Sequence, residues 1–192
     1  MSGTFPTDPS FKAVKFTSRF YNVHSESISG RKQSRHLGGH RFEFSAKYNN
    51  LTAAEFLPVF AFVASQKNSA DSFTITLPVL SSATGDASGT VLVNGAHSIG
   101  DSTIALDGLS GTLKAGNFIK FANHSKVYMI TADLTGAGTL SIQPPIVAAL
   151  IDNEAITFDA VPFTAKLKGD TQAFSFPQYD TYSYEIDMVE AV

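Results

Sequence analysis

One segment of this chain carries a helical signal, and everything around it reads as strands and turns. In Leu51–Lys67, LTAAEFLPVFAFVASQK, Thr52 and Glu55 form a capping box and Leu51 with Phe56 supplies a hydrophobic staple, so the helix start is specified locally. Phe56, Val59, Phe60 and Val63 recur at helical spacing, which predicts a helix over 52–67 whose apolar face covers a sheet. Pro58 removes an internal hydrogen bond and is expected to kink the first turns. Phe62 falls on the opposite side with Glu55, Ser65 and Gln66. A lone exposed Phe is ordinary on a protein surface; it is also a candidate contact with another subunit.

The flanks of this helix alternate with the period of a strand. Phe42, Phe44, Ala46 and Tyr48 point one way while Arg41, Glu43, Ser45 and Lys47 point the other, and Phe73, Ile75 and Leu77 alternate with Thr74 and Thr76. Ala13–Val23 is strand-like as well, after a small-residue, Pro-rich lead-in over 2–10 that is flexible or draped. Between the first two strands, SESISGRKQSRHLGGHR holds Gly30, Gly38 and Gly39 with Arg31, Lys32, Arg35, His36, His40 and Arg41, and reads as a long basic loop or hairpin. Long loops in compact domains are uncommon unless functional, and this one lacks interleaved aromatics for stacking bases. Its expected partner is an acidic protein surface, against the plain reading of a solvated loop.

Past Pro78 the texture changes. SSATGDASGT is a linker, and short strand candidates follow at 90–93, 102–106, 117–121, 126–131, 139–142 and 155–158. Phe118 and Phe121 precede a four-residue turn and Val127, Tyr128 and Ile130 follow it, the pattern of a hairpin. The last third returns to the earlier style. Phe163, Ala165 and Leu167 alternate with Thr164, Lys166 and Lys168; Gly169 and Asp170 turn into a strand at 172–176; Tyr182, Tyr184, Ile186 and Met188 alternate with Ser183, Glu185, Asp187 and Val189. These closing strands need a partner sheet, and the open one belongs to the N-terminal unit. The expected fold is mainly β: residues 1–78 and 161–192 form a discontinuous β-sandwich with helix 52–67, and residues 79–160 an inserted small β-barrel or β-sandwich whose two ends lie close together.

Chemistry finds little to work with. The net charge of −3 exerts no general pull on nucleic acid or an anionic membrane, and with no Cys there is no disulfide scaffold, thiolate metal site or Cys nucleophile. The N-terminus lacks the pattern of a signal peptide and no apolar run is long enough to span a bilayer, so a soluble chain in the cytoplasm is expected. His36 and His40 have the spacing of a helical metal pair, but Gly38 and Gly39 between them leave the spacing without geometry. His124 beside Ser125, with Asp101, Asp107 and Asp133, allows a Ser, His and Asp set only on paper, since no nucleophile elbow is present. Gly85, Gly89, Gly136 and Gly138 lack the Lys and the strand-to-helix setting of a phosphate loop. Glu185, Asp187 and Glu190 read as a solvated or interface acidic stripe in preference to a glycosidase pair. No catalytic, cofactor-binding or metal-ligating residue is assigned.

Three stretches together resemble a known family. SESISGRKQSRHLGGHRFEFSAKYNNLTAAEFLPVFAFVASQKNSADSFTITLP is similar to the opening half of small tail proteins of long-tailed bacteriophages; LKAGNFIKFANHSKVYMIT with LSIQPPI resembles their inserted β domain; FSFPQYDTYSYEIDMVEAV resembles their last strands. The resemblance implies a distal-tail or baseplate component on the tail-tube-like β-sandwich, non-catalytic, assembling as a ring, commonly hexameric, between the tail tube and the tip or hub proteins. It further implies synthesis in the host bacterial cytoplasm, residence in the virion, and no cofactor. A ring subunit must join sheet edges or hairpins to its neighbours. The expected interface is then Arg31, Lys32, Arg35 and Arg41 reaching Glu185 and Asp187 of a neighbour, with Phe62 as a further contact. The competing reading is a carbohydrate-binding or host-surface-binding module using Tyr128, Tyr179, Tyr182 and Tyr184, disfavoured by the lack of Trp. A peptidoglycan-cleaving tail enzyme is a third.

Overall fold

A computed structural model describes residues 3–67, 69–172 and 182–192. The expected strand at 172–176 falls outside them except for Gln172, and so does Tyr179. The chain runs through β1 (Phe11–Glu26), β2 (Lys32–Tyr48), α1 (Ala53–Ser65) and β3 (Phe73–Thr76). Eight short strands follow: β4 (Leu92–Val93), β5 (Thr103–Asp107), β6 (Thr112–Leu113), β7 (Phe118–Phe121), β8 (Val127–Ile130), β9 (Leu134–Thr135), β10 (Gly138–Gln143) and β11 (Ile156–Thr157). The chain closes with β12 (Pro162–Leu167) and β13 (Glu185–Glu190).

Among the described residues the protein is mainly β with one helix. Five strands form a sheet in the order β1-β2-β13-β12-β3, all antiparallel, so the end of the chain lies between its N-terminal strands. Opposite residues in such pairs share a face, which puts Phe44 beside Met188 and Phe163 beside Ile75 on the buried side. The helix starts at the expected cap, with Thr52 N–H donating to Glu55 Oε2 at 2.8 Å. That bond and the Thr52 hydroxyl hold the Glu55 carboxyl below its usual range. The helix runs through Pro58 and stops at Ser65, because Lys67 turns left-handed at φ 50°. Phe56, Val59 and Val63 are buried on the sheet, and Phe56 stacks on Tyr182 at 4.8 Å.

Two expectations about this helix change. Phe62 is half-buried: the lead-in lies along β3, with Phe5 N–H on the Thr74 carbonyl at 2.7 Å, and its buried Phe5 ring meets Phe62 edge-on at 5.3 Å. Phe62 also meets Phe73 at 5.6 Å, so its ring closes the core against the draped arm. Gln66 is fully buried at the helix end, its amide donating to the Phe62 carbonyl at 3.2 Å.

The second sheet has the order β11-β7-β8-β10-β5-β4 and curls until its ends meet. Leu92 bridges Ala155, and Val93 N–H donates to the Glu154 carbonyl at 2.9 Å while Ile156 N–H donates to that of Val91 at 3.1 Å, which closes a small barrel. β6 and β9 pair separately in a two-stranded ribbon. The barrel interior holds Val93, Leu106, Phe121, Tyr128, Leu140 and Ile142. The two crossings between sheet and barrel lie side by side, Val161 N–H donating to the Ser81 carbonyl at 2.9 Å. Among the described residues no helix is long and apolar enough to cross a membrane.

The second layer over the five-stranded sheet is shared between α1 and one wall of the barrel. Along β7 and β8 the residues alternate: Ile119, Phe121, Tyr128 and Ile130 fill the barrel, whereas Phe118 and Val127 belong to the core over the sheet. Phe118 meets Phe16 at 5.2 Å and Phe42 and Phe163 at 5.6 Å each. At this seam Glu190 and Lys126 form an ion pair with no side-chain exposure on either partner. Phe42 N–H donates to Glu190 Oε2 at 3.2 Å and Val127 N–H to Oε1 at 3.0 Å, while the ammonium lies 4.7 Å from the Phe42 ring centre. The sequence reading placed Glu190 in an exposed acidic stripe. Its parity is that of Ile186 and Met188, so the pleat turns it inward.

Candidate assembly surfaces

The basic segment is the outer half of a β-ribbon. β1 and β2 stay paired to Glu26 and Lys32, and the turn between them is closed by Gly30 N–H on the Ser27 carbonyl at 2.8 Å, with Gly30 at φ 78°. Two strands of 16 and 17 residues far exceed the three-stranded body beside them, so the ribbon projects as an arm. The paired rungs from Asn22 to Glu26 alone span about 14 Å.

A bulge marks where the arm leaves the body. Phe20 faces His40 and the next matched rung is Asn22 with His36, leaving Leu37, Gly38 and Gly39 opposite Tyr21. Gly38 sits at φ 83°, and a Cβ on Gly39 would come within 2.9 Å of the Tyr21 ring, so both glycines of the motif have a steric reason. The glycines that made this stretch look like a loop are what re-aim a continuous ribbon.

The predicted interface residues are not one cluster. Arg31, Lys32 and Arg35 lie on the exposed arm, and Lys32 reaches Glu26 at 3.7 Å. Arg41 lies inside the bulge, on the outer face of the sheet opposite Arg19. On that face Glu43 takes Arg19 at 3.1 Å and Lys168 at 2.8 Å, and those bonds, that of Lys168 foremost, hold its carboxyl below the usual range. Glu185 accepts the Ser45 hydroxyl at 2.7 Å, and Asp187 faces a shallow cleft of about 150 Å³ lined also by Lys15, Glu43 and Lys168. Glu185 and Asp187 thus share an exposed face, amid cations of their own subunit. Phe62 lies elsewhere, under the N-terminal arm.

His40 stands between arm and core. Its Nε2 meets Ser18 Oγ at 2.9 Å and its ring lies between Phe20 and Phe42, at 4.4 and 4.5 Å. Burial first, then the Lys126 charge, pushes its pKa down to about 4. The folded state therefore prefers neutral His40, and this contribution is present above about pH 6.5 and lost as the pH falls toward 4. For a half-buried ring we expect about 2 kcal/mol. Denaturant titrations at pH 7.5 and 4.5 should show His40→Gln losing less stability than the parent by roughly that amount.

The other candidate constellations do not assemble. His36 Nδ1 meets Asn22 Oδ1 at 2.9 Å, and among the described residues no group of three or more His, Asp or Glu is placed to hold a metal ion. His124 is buried and its Nδ1 bonds the Tyr128 hydroxyl at 2.8 Å, while Asp133 takes Lys114 and Asp101 caps Ser98 N–H. Of the tyrosines considered as sugar platforms, Tyr128 and Tyr184 are buried and Tyr182 is covered by Phe56.

A discontinuous sheet with a helix over it, a projecting ribbon and a barrel packed on the core define a β-rich protein with an exposed arm. Residues 80–161, which make the barrel, match the family described as distal tail protein pb9, B domain. The match supports a phage distal tail protein, the family that the sequence resembles. No curated protein matches the chain.

Proposed function

We infer that this protein is a structural, non-enzymatic component of a bacteriophage tail tip or baseplate, forming a ring, as a hexamer, that joins the tail tube to the tip or hub proteins. The observation that carries this reading is the match of the barrel segment to a distal-tail-protein domain. The architecture supports it: residues 1–78 and 161–192 act as the ring-forming body and 79–160 as an insert seated on it. The body offers two surfaces for neighbouring copies, the arm with Arg31, Lys32 and Arg35 and the outer sheet face with Arg41, Glu185 and Asp187. Phe62 contributes indirectly, by anchoring the N-terminal arm.

Electron microscopy of the purified chain should show rings. Charge reversal by Arg31→Glu with Arg35→Glu should shift the population to monomers that remain folded, because both side chains are exposed on the arm and neither is tied into the core. Unaltered rings in that variant would remove the arm from the interface, and monomers of the parent chain at every concentration would remove the ring.

A further inference from the structure

The arm needs a receiving surface. Its residues carry exposed apolar groups as well as charge: Val23 opposite Arg35, Ile28 fully exposed at the turn, and Leu37 at the bulge. An isolated two-stranded ribbon is marginal in water, so these groups call for a cover. The outer sheet face is a poor one. Its carboxylates Glu43, Glu185 and Asp187 are outnumbered on the same face by Lys15, Lys47, Lys168, Arg19 and Arg41, whose excess positive charge would repel a basic arm.

The complement lies on the barrel. Two loops there are stitched together by His97 and Leu150, whose N–H groups donate to each other's carbonyls at 3.1 and 3.0 Å, and by Ile146 N–H on the Asp101 carbonyl at 2.9 Å. Together they expose Ile99, Val147 and Ile151, at 68, 44 and 62 %. Asp101 and Asp152 are fixed at this tip by Ser98 N–H at 2.9 Å and Gly95 N–H at 2.7 Å. Neither 94–105 nor 143–155 contains a Lys or Arg, and residues 79–160 hold seven acidic residues against three basic ones, of which Lys120 and Lys126 are drawn to the seam.

We propose that the arm of one copy docks on the barrel tip of the next, Ile28 and Val23 against Ile99 and Ile151, with Arg31 and Arg35 facing Asp101 and Asp152. This rests on the self-assembly reading above and names the surface it uses. Donor and acceptor patches lie on different parts of the subunit, so the contact is head-to-tail, the kind that propagates around a ring. Charge of opposite sign around apolar centres gives it register and speed of association.

The chain has no Cys, which makes disulfide trapping direct. In the full-length protein, Ile28→Cys with Ile99→Cys should yield a ladder of covalent oligomers on mild oxidation, whereas Ile28→Cys with Glu185→Cys should not. Both apolar positions are exposed, so the fold tolerates the change. In sedimentation, Asp101→Asn with Asp152→Asn, which keeps acceptors for the loop N–H groups, should weaken association about tenfold at low salt. A ladder from the Glu185 pair, or none from the Ile99 pair while rings persist, overturns this docking and leaves the ring standing. A chain that never associates overturns both.

Discussion

Lys126→Met is expected to cost about 3–5 kcal/mol, because it leaves the Glu190 carboxylate buried without its counter-charge. Glu190 would keep the N–H groups of Phe42 and Val127, which compensate a full negative charge only in part. Those two donors come from the sheet and the barrel, so the carboxylate joins both bodies, and its loss should loosen the seam before either core. Glu190→Gln is the informative companion. It strands Lys126, whose ammonium burial already pulls downward, and the folded state of that variant should favour the neutral amine. A depressed lysine pKa costs stability in full below the folded value, and the cost is relieved as the pH rises toward the unfolded value, so Glu190→Gln should gain stability as the pH rises toward about 10. Chemical denaturation from pH 6 to 10 measures this directly. A flat profile, or a Lys126→Met cost below 1 kcal/mol, would mean that water reaches the pair.

How much of this was legible beforehand depends on how local each signal is. The helix was, because its cap, staple and apolar stripe lie within Leu51–Val63 and agree with one another. The β7–β8 hairpin was legible for the same reason. Glu190 was hidden by its type: a terminal Glu next to Glu185 and Asp187 reads as surface, and only the parity of Tyr184, Ile186 and Met188 says otherwise. Its partner Lys126 lies 64 residues away in a segment of different texture, so no local pattern could join them. The arm was masked by Gly38 and Gly39, which break the alternation although the ribbon continues past them. Phe62 was misplaced because a helix taken alone shows an outer side, and Phe5 covers that side from outside the helix. The layout of the candidate interface was the least legible, since Arg31 and Arg41 are near in sequence but lie on opposite sides of the bulge.

Phe118→Ala should cost about 3–5 kcal/mol, as large aromatic truncations in packed cores do. Its ring is almost wholly buried among Phe16, Phe42 and Phe163, and few alternative groups could fill the space. Phe121→Ala, three residues along the same strand, should cost a similar amount for a different reason, because Phe121 packs on Tyr128 at 5.3 Å inside the barrel. The two variants therefore separate docking from barrel folding. Amide exchange should show Phe118→Ala losing protection at β2, β8 and the crossings near 78–82, with the barrel interior retained. Phe121→Ala should lose protection throughout 91–157. If both variants gave one uniform loss, sheet and barrel would unfold as a single unit, and the barrel would be part of the core that the five-stranded sheet requires. If Phe118→Ala cost under 1 kcal/mol, the barrel would not be seated through β7 and β8. A barrel seated through Phe118 and the Lys126–Glu190 pair has a fixed orientation on its subunit, and its tip is then presented in one direction to whatever meets it.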